Sequence, residues 1–204
     1  MRQSITQCKV NTMKIKDKRR CSWALDDLLM QQYHDTEWGV RTKDDRKLFE
    51  FLVLESAQAG LSWRTVLHKR ENYRKAFADF DPLKVSRFTV QTVETLLKNQ
   101  GIIRNRAKIE AAINNARKFL EVQKQFGSFF KYSWQFVGGI QIHHTIRKLS
   151  DFPTVIPEAV TFASDLKKRG FQFLGPTIIY AHMQAVGMVN DHMVGCFCHK
   201  STQN

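Results

Sequence analysis

The stretch Thr42 to Phe77, TKDDRKLFEFLVLESAQAGLSWRTVLHKRENYRKAF, decides the fold. Its run from Leu48 to Ala59 is strongly apolar, Thr42-x-x-Asp45 ahead of it resembles a capping box, and Gly60 suits a helix end. Ser62 can then cap a second helix. Trp63, Val66, Leu67, Tyr73 and Phe77 recur there at roughly helical intervals, until Asp81-Pro82 interrupts the chain. The reading is helix, tight turn, helix.

Working outward, helical signals continue. A third helix is expected to end at Gly101, and Asn105 can start a fourth, with Ile109, Ala112, Ile113, Ala116 and Phe119 as its core-facing stripe. The Phe-rich segment 125–157 carries Gly138-Gly139 and His143-His144 and reads as short helices and loops. Asp165 to Arg169 reads as a basic helical end, Gly170 to Gly175 as a turn, Pro176 as the first residue of another helix and Gly187 as its close. No strand-turn-strand series, internal repeat, coiled-coil heptad or low-complexity tract competes. The expected fold class is all-α.

The chain has 204 residues, enough for a substantial core in one domain or two packed helical lobes. Its four cysteines, Cys8, Cys21, Cys196 and Cys198, occur without a signal peptide, so free thiols or metal ligands in a reducing cytoplasm are expected rather than disulfides. No apolar run approaches the roughly 18 residues that a membrane span needs. Residues 1–20 are polar and basic, with seven Lys or Arg against one Asp, and read as a flexible extension. The folded region is expected over 21–198, with 199–204 as a tail. The net charge of +13 is divided almost evenly between extension and remainder, and points to a polyanion partner such as nucleic acid. Nothing requires an obligate protein partner, and a monomer is expected.

Two pairs of soft ligands sit at opposite ends of the chain, Cys21 with His34 and His192 with Cys196. Together they are enough for one tetrahedral Cys2His2 zinc site, although only His192-x3-Cys196 has metal-like local spacing. Cys198 is a rival ligand two residues further on. Glu55 is a carboxylate on an otherwise apolar helix: either it faces solvent, or burial raises its pKa. Tyr33 and the tryptophans are core residues or the walls of a pocket.

Several motifs together are more specific than any one of them. Tyr33-His34-Asp35-x-Glu37-Trp38-Gly39-Val40, Glu55-x-x-x-Ala59-Gly60-Leu61-Ser62-Trp63, Lys69-Arg70-Glu71-Asn72-Tyr73-Arg74 and Asn99-x-Gly101-Ile102-Ile103-Arg104 are followed by Leu166-Lys167-Lys168-Arg169-Gly170-Phe171-x-Phe173 and Val189-Asn190-Asp191-His192-x-Val194-Gly195-Cys196. Over about residues 21–198 the chain resembles the 3-methyladenine DNA glycosylase I family, of helix-hairpin-helix architecture.

The resemblance implies an enzyme of base-excision repair that hydrolyses the N-glycosidic bond of 3-methyladenine in alkylated double-stranded DNA and leaves an abasic site. It also implies one structural zinc ion per chain, held by Cys21, His34, His192 and Cys196, with Cys198 set aside and Cys8 unliganded. By the same resemblance Glu55 accepts hydrogen bonds from the methylated base, Tyr33 and Trp63 stack on it and enclose it, and Trp38 and Trp23 are further pocket walls. A tyrosine common three residues before the motif tyrosine is Met30 here. The turn at Gly170 to Gly175 resembles the DNA-binding hairpin, with Lys167, Lys168, Arg169, Gly175 and Thr177 facing DNA. Related hairpin glycosylases carry a catalytic aspartate where this chain has Asn190, next to Asp191. Leu61, in the turn between two helices, is expected to wedge into the gap left by an extruded base. No lysine is marked out for a Schiff base, so a monofunctional glycosylase is expected. The alternative is a zinc-stabilised protein that binds DNA lesions without hydrolysis.

Overall fold

A computed structural model describes residues 18–25 and 27–199. Cys8, most of the basic extension and all of the tail except residue 199 lie outside them. Nine α-helices dominate the described residues: α1 (Leu28–Thr36), α2 (Asp45–Gln58), α3 (Trp63–Ala76), α4 (Pro82–Val85), α5 (Val90–Lys98), α6 (Arg106–Phe126), α7 (Phe129–Ser133), α8 (Pro157–Lys168) and α9 (Pro176–Ala185). The all-α expectation holds at this level.

The starting stretch forms α2, a turn and α3. Helix α2 is buried on every side beyond its first turn: every residue from Leu48 to Ala57 is buried, and α3, α6, α7 and α9 pack around it. Phe49 meets the Phe119 ring of α6 edge-on at 5.3 Å. The expected box at Thr42 is not the cap. Asp44 caps α2, its carboxylate accepting Arg46 N at 2.9 Å, while Thr42 Oγ1 accepts Asp44 N. Asp44 occupies the position directly before the helix, where its carboxylate reaches a first-turn N–H, whereas the Thr42 hydroxyl, two residues earlier, meets only the N–H of Asp44. Ser62 does cap α3, accepting Thr65 N, and Asn105 caps α6, accepting Lys108 N.

The stripe Ile109, Ala112, Ile113, Ala116 and Phe119 is buried as expected. Segment 125–157 holds α7, two short 3-10 turns and a strand, β1 (Ile142–His143), which pairs in parallel with β2 (Val189–Asn190). That pairing ties the irregular segment to the chain just beyond α9. Gly187 closes the corner between α9 and β2 with φ +75°, and a Cβ there would lie 2.3 Å from the backbone of Val40 and Arg41. The approach brings residues 38–42 against the end of α9, where Gly39 N donates to Gln184 O and Thr42 N to Val186 O.

Lys18 to Arg20, counted with the extension by composition, are laid against the domain. Arg20 grips Asp35 with two nitrogens at 2.8–3.1 Å, and Phe197 N donates to Arg19 O at 2.9 Å. No helix among the described residues is long and apolar enough to cross a membrane.

Candidate active site

Two buried acids on α2 meet opposite fates. Glu50 receives Arg70 Nε and Arg74 Nη2, each at 2.9 Å, and Arg70 also forms a fork on Glu37 at 2.7 and 2.9 Å. Glu50 is thereby a compensated structural acid. Glu55, five residues on, is 3% exposed and its Oε2 has no hydrogen-bond partner. Burial alone pushes its carboxyl up to about 8, because a low-dielectric surrounding disfavours the charged form.

That unpaired acid lines a cavity of about 370 Å³ together with Tyr33, Trp63, Trp38, Trp23 and Met30. Every sequence-derived catalytic and base-binding residue is in its wall. Tyr33 and Trp63 stand 5.0 Å apart, ring centre to ring centre, at a 46° tilt, and Trp23 meets Trp38 edge-on at 4.8 Å. Desolvation, reinforced by the neighbouring Glu55, holds the Tyr33 phenol well above its ordinary value, so it remains a neutral donor. Trp63 Nε1 is buried without a partner. An aromatic box with two unmet polar groups suits a flat polar ring. Gln58, Arg64, Phe152, Ala181 and Gln184 also line it, and the sequence reading did not single them out.

The turn between α2 and α3 carries Leu61, 42% exposed, at the rim next to the cavity-lining Ser62. Gly60 supplies the left-handed corner. The turn is held from below by a residue that sequence reasoning missed: Lys108 Nζ, on α6, donates to Ala57 O at 2.9 Å and to Ala59 O at 2.6 Å. Those carbonyls end α2, where a cation is favoured by the helix dipole. No local signal could reveal a contact across 49–51 residues.

Behind the aromatic wall, Cys21, His34, His192 and Cys196 converge, all buried, with their donor atoms within 4.8 Å of one another. Cys21 Sγ is 3.7 Å from His192 Nδ1, Cys196 Sγ is 3.4 Å from His34 Nε2, and the two ring nitrogens are 3.2 Å apart. The other ring nitrogens have acceptors: His34 Nδ1 faces Asp35 Oδ1 and His192 Nε2 faces Trp38 O, both at 2.9 Å. Backbone N–H groups of Met193 and Cys198 donate to the Cys21 and Cys196 sulfurs. Such a set could hold a metal ion. Cys198 stays outside the quartet and contributes its N–H to the Cys196 sulfur instead. The cluster also supports the cavity, because Trp38 rests edge-on against the His192 ring at 4.7 Å and Trp23 against His34 at 5.4 Å.

Asn190 and Asp191 do not line the cavity. Asn190 Oδ1 accepts His192 N and its amide donates to His199 O. Asp191 is buried among Tyr180 Oη, Gln184 Nε2 and His144 Nδ1.

A larger groove of about 650 Å³ lies between α8 and the turn that leads into α9, lined by Lys167, Phe171, Phe173 and Gly175 among others. Lys167 is its one ionisable wall residue, so it offers no acid-base pair for chemistry. The turn is pinned by Asn114 and Asn115 of α6: Asn114 donates to Gly170 O, and Asn115 exchanges two 2.8 Å bonds with the Gln172 backbone. Lys168, Gly175 and Thr177 are exposed around it. Arg169 is already engaged, with Asp165 at 2.6 Å, Gln125 at 2.7 Å and the rings of Phe126 and Tyr132 beneath it.

Comparison with known proteins agrees with this geometry. The family model of the methyladenine glycosylases matches residues 23–199. DNA-3-methyladenine glycosylase 1 of Escherichia coli K12 is 48% identical over 180 residues, 88% of this chain and 96% of that protein. A crystal structure of a 3-methyladenine DNA glycosylase I superposes with a TM-score of 0.85 at 51% identity, covering 89% of this chain and all of the other. A variant of such an enzyme solved in complex with 3-methyladenine has a TM-score of 0.85 at 36% identity, covering 91% and 97%. With a family match across the folded region and an unpaired acid inside an aromatic box, the chain belongs to the methyladenine glycosylase family.

Proposed function

We propose that this chain is a monofunctional DNA-3-methyladenine glycosylase and that the cavity around Glu55 receives the damaged base. The observation that carries this is the solitary buried carboxylate: a structural role would have given it a partner, as Glu50 has. A purine methylated at N3 is cationic in DNA, and a cation entering the box lowers the Glu55 pKa and favours its ionised form. The carboxylate then accepts from the base's exocyclic amine, while Tyr33 and Trp63 clasp the ring and Trp38 and Trp23 close the wall. Undamaged adenine brings no charge to offset the cost of ionising a buried acid.

The chemistry follows from the leaving group. The bond between C1′ and the base nitrogen breaks, its electron pair neutralises the methylated ring, the oxygen of water bonds to C1′ and a proton is released. Products are free 3-methyladenine and an abasic sugar. The ionised Glu55 carboxylate stabilises the positive charge as it passes to the sugar. Selection and extrusion carry much of the work.

In this reading the turn between α8 and α9 is the hairpin of a helix-hairpin-helix element. Gly175 caps α9 without a side-chain bond and Pro176 follows, which leaves amides near Thr177 free for a phosphate. Lys167 and Lys168 add charge, whereas Arg169 serves the hairpin's own packing. Leu61 is the wedge that takes the place of the extruded base.

The quartet Cys21, His34, His192 and Cys196 holds one zinc ion, which supplies a cross-link and no step of the reaction. Tetrahedral zinc at about 2.3 Å from sulfur and about 2.0–2.1 Å from nitrogen separates its ligands by roughly 3.3–3.8 Å. Four of the six separations between donor atoms, at 3.2–3.7 Å, fit that edge length, and all six lie within 4.8 Å. The test of function is chromatographic detection of bases freed from methylated duplex DNA. Release of 3-methyladenine with 7-methylguanine spared supports the reading. Folded protein that binds DNA and frees no base would leave a lesion-binding protein instead.

A further inference from the structure

A further cleft, of about 470 Å³, lies where residues 18–25 meet residues 193–196 and Arg147. Its charged lining residues are Lys18, Arg19, Arg20 and Arg147, and none of its lining residues is acidic. The segment at Ser22 and Trp23 contributes to both depressions. Ser22 faces the cleft and Trp23 the cavity, while Arg147 faces the cleft and Phe152 the cavity.

The cations are placed rather than loose. Lys18 Nζ stands 4.5 Å over the Phe197 ring, and Arg19 lies across Gly195, 3.2 Å from where a Cβ would sit. Gly195 thus leaves room for the guanidinium. The nearby acids are already in use: Asp35 is gripped by Arg20, and Asp151 accepts the backbone N–H groups of Arg147 and Lys148 at 3.0 Å. Three positive side chains, Lys18, Arg19 and Arg147, thus face a cleft with no carboxylate in its lining. The sequence immediately upstream adds Arg2, Lys9, Lys14 and Lys16 against Asp17.

We propose that the cleft between Lys18–Arg20 and Arg147 is a phosphodiester-binding site that holds the backbone of the bound DNA. This rests on the glycosylase reading above. Charge complementarity selects the ligand: each DNA strand presents one negative phosphate per about 3.4 Å of helix axis, and a cleft lined by cations and by no acid suits such a backbone. The contacts carry no sequence information and so raise affinity for damaged and undamaged duplex alike. They also tie DNA affinity to the termini, because the segment bearing Lys18 to Arg20 is held by Asp35 and Phe197.

The test uses the full chain with Lys18→Gln, Arg19→Gln and Arg147→Gln combined, and Arg147→Gln alone. Binding to a lesion-free duplex is followed by fluorescence anisotropy from about 50 to 200 mM salt. A control replaces the exposed Lys75, Lys84 and Lys98 by Gln, which removes the same charge from α3–α5. The slope of log K against log salt is expected to shrink by about 2–3 in the triple variant and by about 1 in Arg147→Gln, near 0.9 for each phosphate that is no longer neutralised. The control should keep most of its slope. Binding of free 3-methyladenine, read by tryptophan fluorescence, should be unchanged in all variants, which shows that each is folded with an intact cavity. An unchanged slope in the triple variant, or an equal drop in the control, overturns the cleft. Absence of base release by the unmodified chain would instead overturn the glycosylase reading.

Discussion

Glu50 and Glu55 lie on one helix, are equally buried, and differ in whether a cation meets them. The unpaired one titrates unusually. An exposed or unfolded glutamate loses its proton near 4.5, whereas Glu55 holds it to about 8. Between those values the folded chain binds a proton that the unfolded chain has lost, so the Glu55 contribution makes stability fall as pH rises from about 4.5 to about 8. Glu55→Gln removes that titration. Its Tm should therefore gain on the wild type as pH rises from about 5 to about 8.5, and a constant gap would contradict the burial argument. In kinetics, the acidic limb of kcat/KM reports the free enzyme and should lie near 8, while the limb of kcat should lie lower because the cationic base favours the carboxylate. A pH–rate profile checks both limbs.

At the scale of elements, the base cavity depends on the turn between α2 and α3, and that turn depends on Lys108 of α6. Its ammonium stands at the carboxyl end of α2, and removing it frees Ala57 O, Ala59 O and the Leu61 rim. Lys108→Met should slow single-turnover excision from duplex DNA on the order of 10- to 100-fold, as small misplacements near chemistry do. Lys108→Arg should restore most of the rate, and Leu61→Ala should share the duplex bias. Equal losses on duplex and on an unpaired substrate would reject both the positioning and the wedge roles. Local chemistry made much of this architecture legible. Ser62 and Asn105 cap helices where the sequence places them, since a cap is decided within about three residues. Thr42 misled because Asp44 competes for the same helix start. Segment 125–157 could not be read, because β1 pairs with a strand 47 residues away and Asp45 of α2 accepts the N–H groups that begin α7.

At the scale of the molecule, the segments around Cys21 and Cys196 meet behind the cavity wall. Spacing located only His192 and Cys196, and the partners Cys21 and His34 were reached through family resemblance, because contacts across 158–172 residues leave no periodic trace. If zinc is the clamp, a strong chelator should lower Tm, expose the segment around Cys21 to protease and reduce base release as Trp38 and Trp23 lose their support. Cys196→Ser should lose the metal, and Cys198→Ser should keep it, as measured by metal content. Retention by Cys196→Ser would transfer the ligand role to Cys198. The five cavity residues named from the sequence lie on α1, α2, α3 and the segments flanking α1, and only the fold shows that they close one box.

The most direct test of that box is binding of free 3-methyladenine and of adenine, followed by quenching of the tryptophans that line it, in the wild type and in Glu55→Gln. Preference for the methylated base by at least about tenfold, equivalent to about 1.4 kcal/mol, with most of that preference lost in Glu55→Gln, is the expected result. Equal affinity for the two bases, or a preference that survives the substitution, would show that Glu55 does not read the lesion.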